Sequence, residues 1–478
     1  MGVRSSTERS NLQRFARVIT VVLWLAAPAR FCGAAQPANA YPPVTLSASD
    51  RILVLAPHPD DEVLGCAGII QQAQRLHLPV RIIFLTYGDN NEWSFLLFRK
   101  HPVLVPQAVR NMGTIRRTEA VAAARELGLL PQQLTFLGYP DFRTLDIWYA
   151  HWGKRPPERS MLTRVSAVPY ADAYRPGAPY KGEEILKGLT AVIRDFNPTK
   201  IFLSHPGDHN PDHRALYLFT RVALWDMGVQ GQVELYPYMI HYKNWPLPRG
   251  YLPEKSITPA APFAQTVSWR AYGLNDAETA LKLVALRKHA SQFKSSGKYL
   301  LSFVRKNELF GDLPTINFTG PGSRSLQTTE NIADAIEVPQ ELINEEKAAF
   351  VGIVKRSIIL LDDSLTISLK LSRPMGKTVG TVLYIFGYRD DVAFAQMPKV
   401  RIRFGSWRHV VRDQNISIPL DAITVQRRAR ELTIRVPLKL LGNPQRILTS
   451  ANTYMGAVPL DVISWRIVEL SEAPAPQR

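Results

Sequence analysis

His58-Pro59-Asp60-Asp61-Glu62 sets one imidazole beside three carboxylates within five residues. Adjacent carboxylates repel unless a cation or a proton neutralises them, so the cluster needs a partner. A divalent metal supplies one: a His and an Asp three residues apart take two corners of a tetrahedral site and leave Asp60 free to act on a bound water. The plainer alternative is a helix start, with Asp60 or Asp61 as N-cap and Glu62 in a first turn whose dipole favours acids. On this segment alone both stay open. A second cluster, Ser204 to Arg214, holds His205, His209 and His213 among ten histidines in the chain, together with Asp208, Asn210 and Asp212. If both clusters follow parallel strands of one sheet they open at the same edge, and His213 supplies a third ligand. A polar loop with surface histidines would need two coincidences.

The elements that must position these groups are readable around them. Arg51 to Ala56 is a short aliphatic run of the kind that fills a strand buried on both faces, and Pro57 and Pro59 stiffen the loop before a helix over 63–76. Lys200 to Leu203 plays the same part before the second cluster, with a helical pattern from Ala215. From Arg51 to about Arg305 strand and helix alternate, the pattern of a layered α/β domain. Further strands are expected at 80–86, 134–137 and 233–242, and helices at 116–127, 183–196 and 276–292. Residues 93–112 read as a loop or lid, and 146–181, rich in Pro, Tyr and Trp, as a long insertion over one face. Asp141 lies past the third strand, where it is either a site residue or a turn former. Residues 314–346 turn to Gly, Ser, Thr, Asn and acids and are expected to link two domains. Beyond them, short strand-like runs at 351–359, 364–371, 381–387, 399–404, 415–419, 431–437 and 464–470 predict a β-sandwich over 347–478 with no catalytic cluster of its own.

A chain of 478 residues, 46% hydrophobic, can bury two or three domains' worth of core. Residues 1–40 read as an export signal: Arg4, Arg9, Arg14 and Arg17 precede the apolar run Val18 to Ala27, and small residues follow at Gly33-Ala34-Ala35 and Ala38-Asn39-Ala40. Pro28 and Arg30 end that run short of the ~20 residues a membrane span needs. An exported, periplasmic or secreted product is therefore expected, without a membrane span once the signal is cut. Cleavage would leave Cys66 as the sole cysteine, which excludes an internal disulfide. Loss of five Arg and one Glu with the signal lowers the formal charge from +17 to +13, an excess suited to anionic envelope polymers or lipid headgroups and equally to a merely solvated surface. Nucleic acid is a poor partner for an exported chain without a binding motif.

Pro57-His58-Pro59-Asp60-Asp61-Glu62 together with the later Asp212-His213 resembles the PIG-L/LmbE-like family of zinc-dependent N-acetylglucosaminyl deacetylases, over roughly residues 50–300. The resemblance implies a Rossmann-like, mostly parallel sheet layered by helices in a catalytic domain over 41–313, and hydrolysis of acetamides on amino sugars, glycoconjugates or envelope polysaccharides. It implies that His58, Asp61 and His213 bind zinc, or another divalent ion, and that Asp60 takes the proton of the bound water. Arg116, three before Glu119, and Asp141 resemble substrate contacts, and Ser291-Gln292 a pair found late in the catalytic domain. One departure matters. Many members carry His-Pro-Asp-His at the second motif, where the first His supports the oxyanion or protonates the leaving amine; this chain has Asn210-Pro211-Asp212-His213. Asn210 can donate a hydrogen bond but no proton, so the acid role falls to His209, to protonated Asp60 or to another group. The C-terminal region is similar to family 9 carbohydrate-binding modules through Ile434 to Leu438, Leu441 to Pro444, and Asp461 with Trp465.

The expected reaction is metal-assisted amide hydrolysis, in which zinc lowers the pKa of water from 15.7 towards about 7 and Asp60 accepts the proton. Three rivals stand beside it: an amidase of the same fold acting on an acylated glycopeptide or lipid, a non-catalytic glycan-binding protein, and a structural metal protein with a closed site.

Overall fold

The computed structural model describes residues 41–90, 105–319, 327–332, 338–339, 342–405 and 409–470. The expected export signal and most of the expected lid lie outside these residues.

Five parallel strands form the first layer: β1 (Ile52–Ala56), β2 (Val80–Thr86), β3 (Leu134–Tyr139), β4 (Lys200–Ser204) and β5 (Glu234–Tyr238). Their spatial order is β3-β2-β1-β4-β5, so the chain builds outward from β1 on one side, then crosses back to start β4 on the other. The reversal between β1 and β4 is a topological switch point, where the two following loops diverge and leave a crevice at the carboxyl edge. Every residue of β1 is buried, which explains its unbroken aliphatic run: helices cover both faces.

The helices that matter for the site are α1 (Asp61–Arg75), α2 (Pro106–Glu126), α3 (Thr144–Ala150), α4 (Gly182–Phe196), α5 (Pro211–Asp226), α6 (Asp276–Arg287) and α7 (Ala290–Leu300). Helix α2 starts ten residues before Arg116, so 106–112 is helix rather than loop; Pro106 at its first turn costs no hydrogen bond. The helix expected over 276–292 breaks at His289, which starts α7.

The C-terminal region packs a five-stranded sheet against an eight-stranded one. Leu365, Ile367, Leu369, Leu432, Ile434 and Val436 of the first face Leu383, Ile385, Val400 and Ile402 of the second across one core. Residues 314–346 contribute to both sheets, as β8 (Ile316–Asn317) and β9 (Gln327–Asn331). The central pair, β12 (Val379–Tyr388) and β18 (Arg446–Met455), is covered on both sides, because the second face of β12 packs on the α/β layer. There Tyr149 stacks on Tyr384 at 4.2 Å, and Trp148 packs against Phe386, Phe394 and Trp465. The two layers share one hydrophobic core. No helix among the described residues is long and apolar enough to cross a membrane.

Candidate active site

All five strands send residues to the same edge. The chain leaves β1 through Pro57-His58-Pro59 and enters α1 at Asp61. Asp60 stands at the N-cap position with φ 129°, a conformation L side chains rarely adopt, and its side chain caps nothing. Its N–H donates to Glu62 Oε2 at 2.9 Å, and its carboxylate faces Arg116 Nη2 at 3.4 Å. The helix-cap alternative for Asp60 therefore falls. Arg116 donates to Pro59 O at 2.7 Å and Gly88 O at 3.0 Å, which clamps the strained loop from behind.

Asp61 Oδ2 accepts the His58 backbone N–H at 2.9 Å and lies 3.1 Å from both His58 Nδ1 and His213 Nε2. Corners of a tetrahedral site with bonds of 2.0–2.1 Å lie about 3.3 Å apart, so these atoms fit around one ion. His213 Nε2 is buried and makes no hydrogen bond. The outer ring nitrogens face carboxylates: His58 Nε2 is 2.9 Å from Asp141 Oδ1 and 3.0 Å from Asp212 Oδ2, and His213 Nδ1 is 3.2 Å from Asp208 Oδ2. A carboxylate behind a ligating imidazole fixes its tautomer and turns the other nitrogen to the ion. His241, just past β5, completes a group of four with His58, Asp61 and His213 whose donor atoms all lie within 4.8 Å of one another.

Electrostatics follow from burial and from these neighbours. Burial pushes the Asp60 carboxyl up to about 7, with Arg116 pulling the other way. For Asp61 burial also acts upward, but His213 and His58 outweigh it and hold the carboxyl well below its usual range. Burial pulls His213 down while Asp208 and Asp61 carry it up to about 9. A divalent ion held by these groups would displace the proton that the carboxylates draw onto His213.

The expected substrate and proton-transfer residues make contacts of their own. Arg116 is 3% exposed, and its bonds to the Asp60 loop position that loop. Asp141 braces His58 and accepts the Asn90 N–H at 3.1 Å. Asn210 Oδ1 accepts the Asp212 N–H at 2.8 Å and so caps α5, a bond that uses its carbonyl and leaves the amide N–H groups outside it. His209 packs its ring on Tyr242 at 4.5 Å, outside the group of donors, and burial with Arg214 and Lys243 lowers its pKa to about 3. That shift favours the neutral imidazole, which is poorly suited to protonate a leaving amine. Asp212 acts through His58, anchored by the N–H groups of Phe142 and Thr144 at 2.5 and 3.1 Å and by the Thr144 hydroxyl. Ser291 donates from its N–H and hydroxyl to Glu119 at 2.8 and 2.6 Å, which ties α7 to α2.

Asp208 and His241 had no individual role in the sequence reading, and the pairing of His289 with Glu62 at 3.0 Å, both buried, was not expected. Asp208 Oδ2 accepts the N–H groups of Ile240 and His241, both at 2.9 Å, and so joins the loops after β4 and β5. The signal for His241 was its place after a strand of the same sheet, since such loops share one edge.

An α/β layer whose switch point gathers two His and an Asp around room for an ion, beside a buried carboxylate, defines a candidate metal centre. Residues 53–224 match the family model described as PIG-L, GlcNAc-PI de-N-acetylase, and form a PIG-L family domain. No curated protein matches the chain. Among solved structures, the chain is similar to the N,N'-diacetylchitobiose deacetylase from Pyrococcus horikoshii, with 19% identity over 55% of this chain and 82% of that one and a TM-score of 0.34. The A40926 pseudoaglycone deacetylase Dbv21 is 16% identical over 55% and 96%, TM-score 0.36. GalB, the 4-carboxy-2-hydroxymuconate hydratase from Pseudomonas putida KT2440, is 17% identical over 53% and 82%, TM-score 0.32.

Proposed function

We propose that the protein is an exported, metal-dependent hydrolase that removes the acetyl group from an N-acetylglucosamine-type sugar or glycoconjugate. The observation that carries this reading is the meeting of Asp60 with His58, Asp61 and His213 at one sheet edge inside a PIG-L domain. His58, Asp61 and His213 would hold the ion, zinc by the preference of that metal for mixed nitrogen and carboxylate donors. Bound there, it would supply Lewis acidity that makes water acidic near neutral pH and polarises an acetamide carbonyl.

The chain's own groups do the rest. Asp60, with a proton affinity near the working pH, accepts the proton as water oxygen bonds to the acetyl carbon. Arg116 keeps that carboxylate aimed. His241, within reach of the ligating atoms and half-buried, is the donor for the oxygen that gains charge. As the C–N bond breaks, the proton on Asp60 passes to the leaving amine, so acetate and a free amino sugar depart. The leader-like residues 1–40 support export.

The test is acetate release from a panel of N-acetylated oligosaccharides and envelope polymers by metal-stripped and zinc-restored protein. Release only with restored metal is expected, and His241→Gln should lower kcat by about 10²-fold with metal content kept. Glycan binding without acetate release under any metal would replace this reading with a binding protein. Cell fractionation with N-terminal sequencing tests export; a cytoplasmic product that retains residues 1–40 would refute it.

A further inference from the structure

The face that the eight-stranded sheet turns to the α/β layer is only partly covered, and its uncovered end is basic. Side chains directly opposite in an antiparallel pair share a face. Strand β13 (Lys399–Phe404) pairs with β12 so that Lys399 opposes Phe386, Arg401 opposes Tyr384 and Arg403 opposes Val382. Phe386, Tyr384 and Val382 all pack into the core of the α/β layer. Lys399 is buried there, its ammonium 4.7 Å from the Trp152 ring. Further out, Arg401 is half-buried and Arg403 exposed. Arg412, on β14 (His409–Asp413), stands directly across from Arg401. Tyr454 of β18 lies under the Arg403 guanidinium, 4.3 Å from ring centroid to carbon. With Gly405 and Val410 these residues line a groove of about 260 Å³.

Like charges directly across a strand pair cost stability. Other arginines near the layer boundary are neutralised within the chain: Arg356 and Arg466 by Glu330, Arg446 by Glu469, Arg221 by Asp312. Among the described residues Arg401, Arg403 and Arg412 have no such partner. Three uncompensated guanidinium groups around a recess with an aromatic wall favour an anion from outside.

We infer that this groove binds the acidic groups of an anionic polysaccharide. Guanidinium forks match carboxylate and phosphate oxygens, and Val410 with the rim of the Tyr454 ring offers apolar surface to a sugar. The choice of a polysaccharide rests on the deacetylase reading and on the route between the sites. Tyr149 of α3 stacks on Tyr384, the cross-strand neighbour of Arg401, while Thr144 at the start of α3 holds Asp212 behind His58. That helix of seven residues spans about 10 Å. One short helix thus connects the strand pair that carries Arg401 with Asp212 behind the candidate metal centre. A recess between strands fits one flexible chain better than it fits a duplex or a flat lipid surface.

The experiment measures equilibrium binding of the full chain to polygalacturonate at ~0.15 M salt, with dextran, double-stranded DNA and phosphatidylglycerol vesicles as comparison arms. Arg401→Gln/Arg412→Gln should weaken polygalacturonate binding roughly tenfold or more, while Arg125→Gln/Arg194→Gln, the same charge change at exposed sites on α2 and α4, should leave it within about twofold. Acetate release from a short neutral acetylated sugar should match the unaltered protein in both variants. Equal weakening in the two variants, dextran binding as tight as polygalacturonate, absence of polygalacturonate binding, or tighter binding to DNA or vesicles would overturn the inference. Failure of the unaltered protein to release acetate would count against the deacetylase reading alone and leave the binding result intact.

Discussion

At the scale of single residues, the site depends on Asp60 being held in a backbone conformation it would not choose. Its side chain makes no cap bond that would favour φ 129°, so the loop is held by Arg116, which pairs with the carboxylate and bonds Pro59 O, and by Glu62, which accepts the Asp60 N–H. Asp60→Asn removes the proton acceptor and leaves the ligands in place. It should lower kcat by about 10²–10⁴-fold with metal content unchanged by atomic absorption; unchanged turnover would exclude Asp60 as the base. Arg116→Met separates positioning from substrate binding. Because the guanidinium contacts Pro59 O, Gly88 O and Asp60, kcat should fall at least about tenfold with KM nearly constant. A raised KM at constant kcat would restore the substrate-contact role.

At the scale of elements, two helix or strand ends carry more than their own stability. Asn210 occupies the place of a His in the related motif, and its carbonyl caps the helix that presents His213. Asn210→Ala should cost about 1 kcal/mol of unfolding free energy and change kcat/KM only a few-fold, whereas Asn210→Asp should keep both; a loss of about 10²-fold in kcat for the alanine variant would return Asn210 to the chemistry. Strand β9 is pinned by Glu330, which bridges Arg356 and Arg466. Burial acts to raise the Glu330 carboxyl, but the two guanidinium groups outweigh it and hold it below the ordinary value. A carboxylate with a depressed folded-state pKa stabilises above its unfolded pKa of ~4.3 and loses that contribution as pH falls through the folded value. Urea unfolding should therefore show Glu330→Gln about 3 kcal/mol less stable at pH 7, with the gap narrowing as pH falls below ~4.3. A gap independent of pH would place the effect in packing instead of charge.

At the scale of the whole molecule, the all-β region is structural to the α/β layer and not a loose appendage. Trp148 and Trp152 are 0% exposed, and part of what covers them is Phe386, Phe394 and Trp465. Uncovering that surface with Tyr149 forfeits on the order of 5 kcal/mol, close to the whole stability of many domains. A fragment of residues 41–313 should accordingly be insoluble or bind a hydrophobic dye when expressed alone. A soluble monomer with sharp thermal unfolding would show that the layer stands without its partner.

Sequence alone determined whatever is encoded over a few neighbouring residues. The buried strand before His58, the helix after it, the second His and Asp cluster and the alternating strands such as Glu431–Pro437 were all legible, because each is a local pattern of burial. Strand β18 was not: both its faces are covered from Arg446 to Ala451, so no alternation marks it. The candidate metal set of His58, Asp61 and His213 could be named from motif spacing, but His241 could not, since its relation to the others exists only once β5 is laid beside β4. Tertiary structure also decided what Arg116, Asp141 and Asn210 touch. The direction in which a buried charge points is set by the carbonyls, N–H groups and carboxylates that distant loops bring to it, and no local spacing encodes those partners.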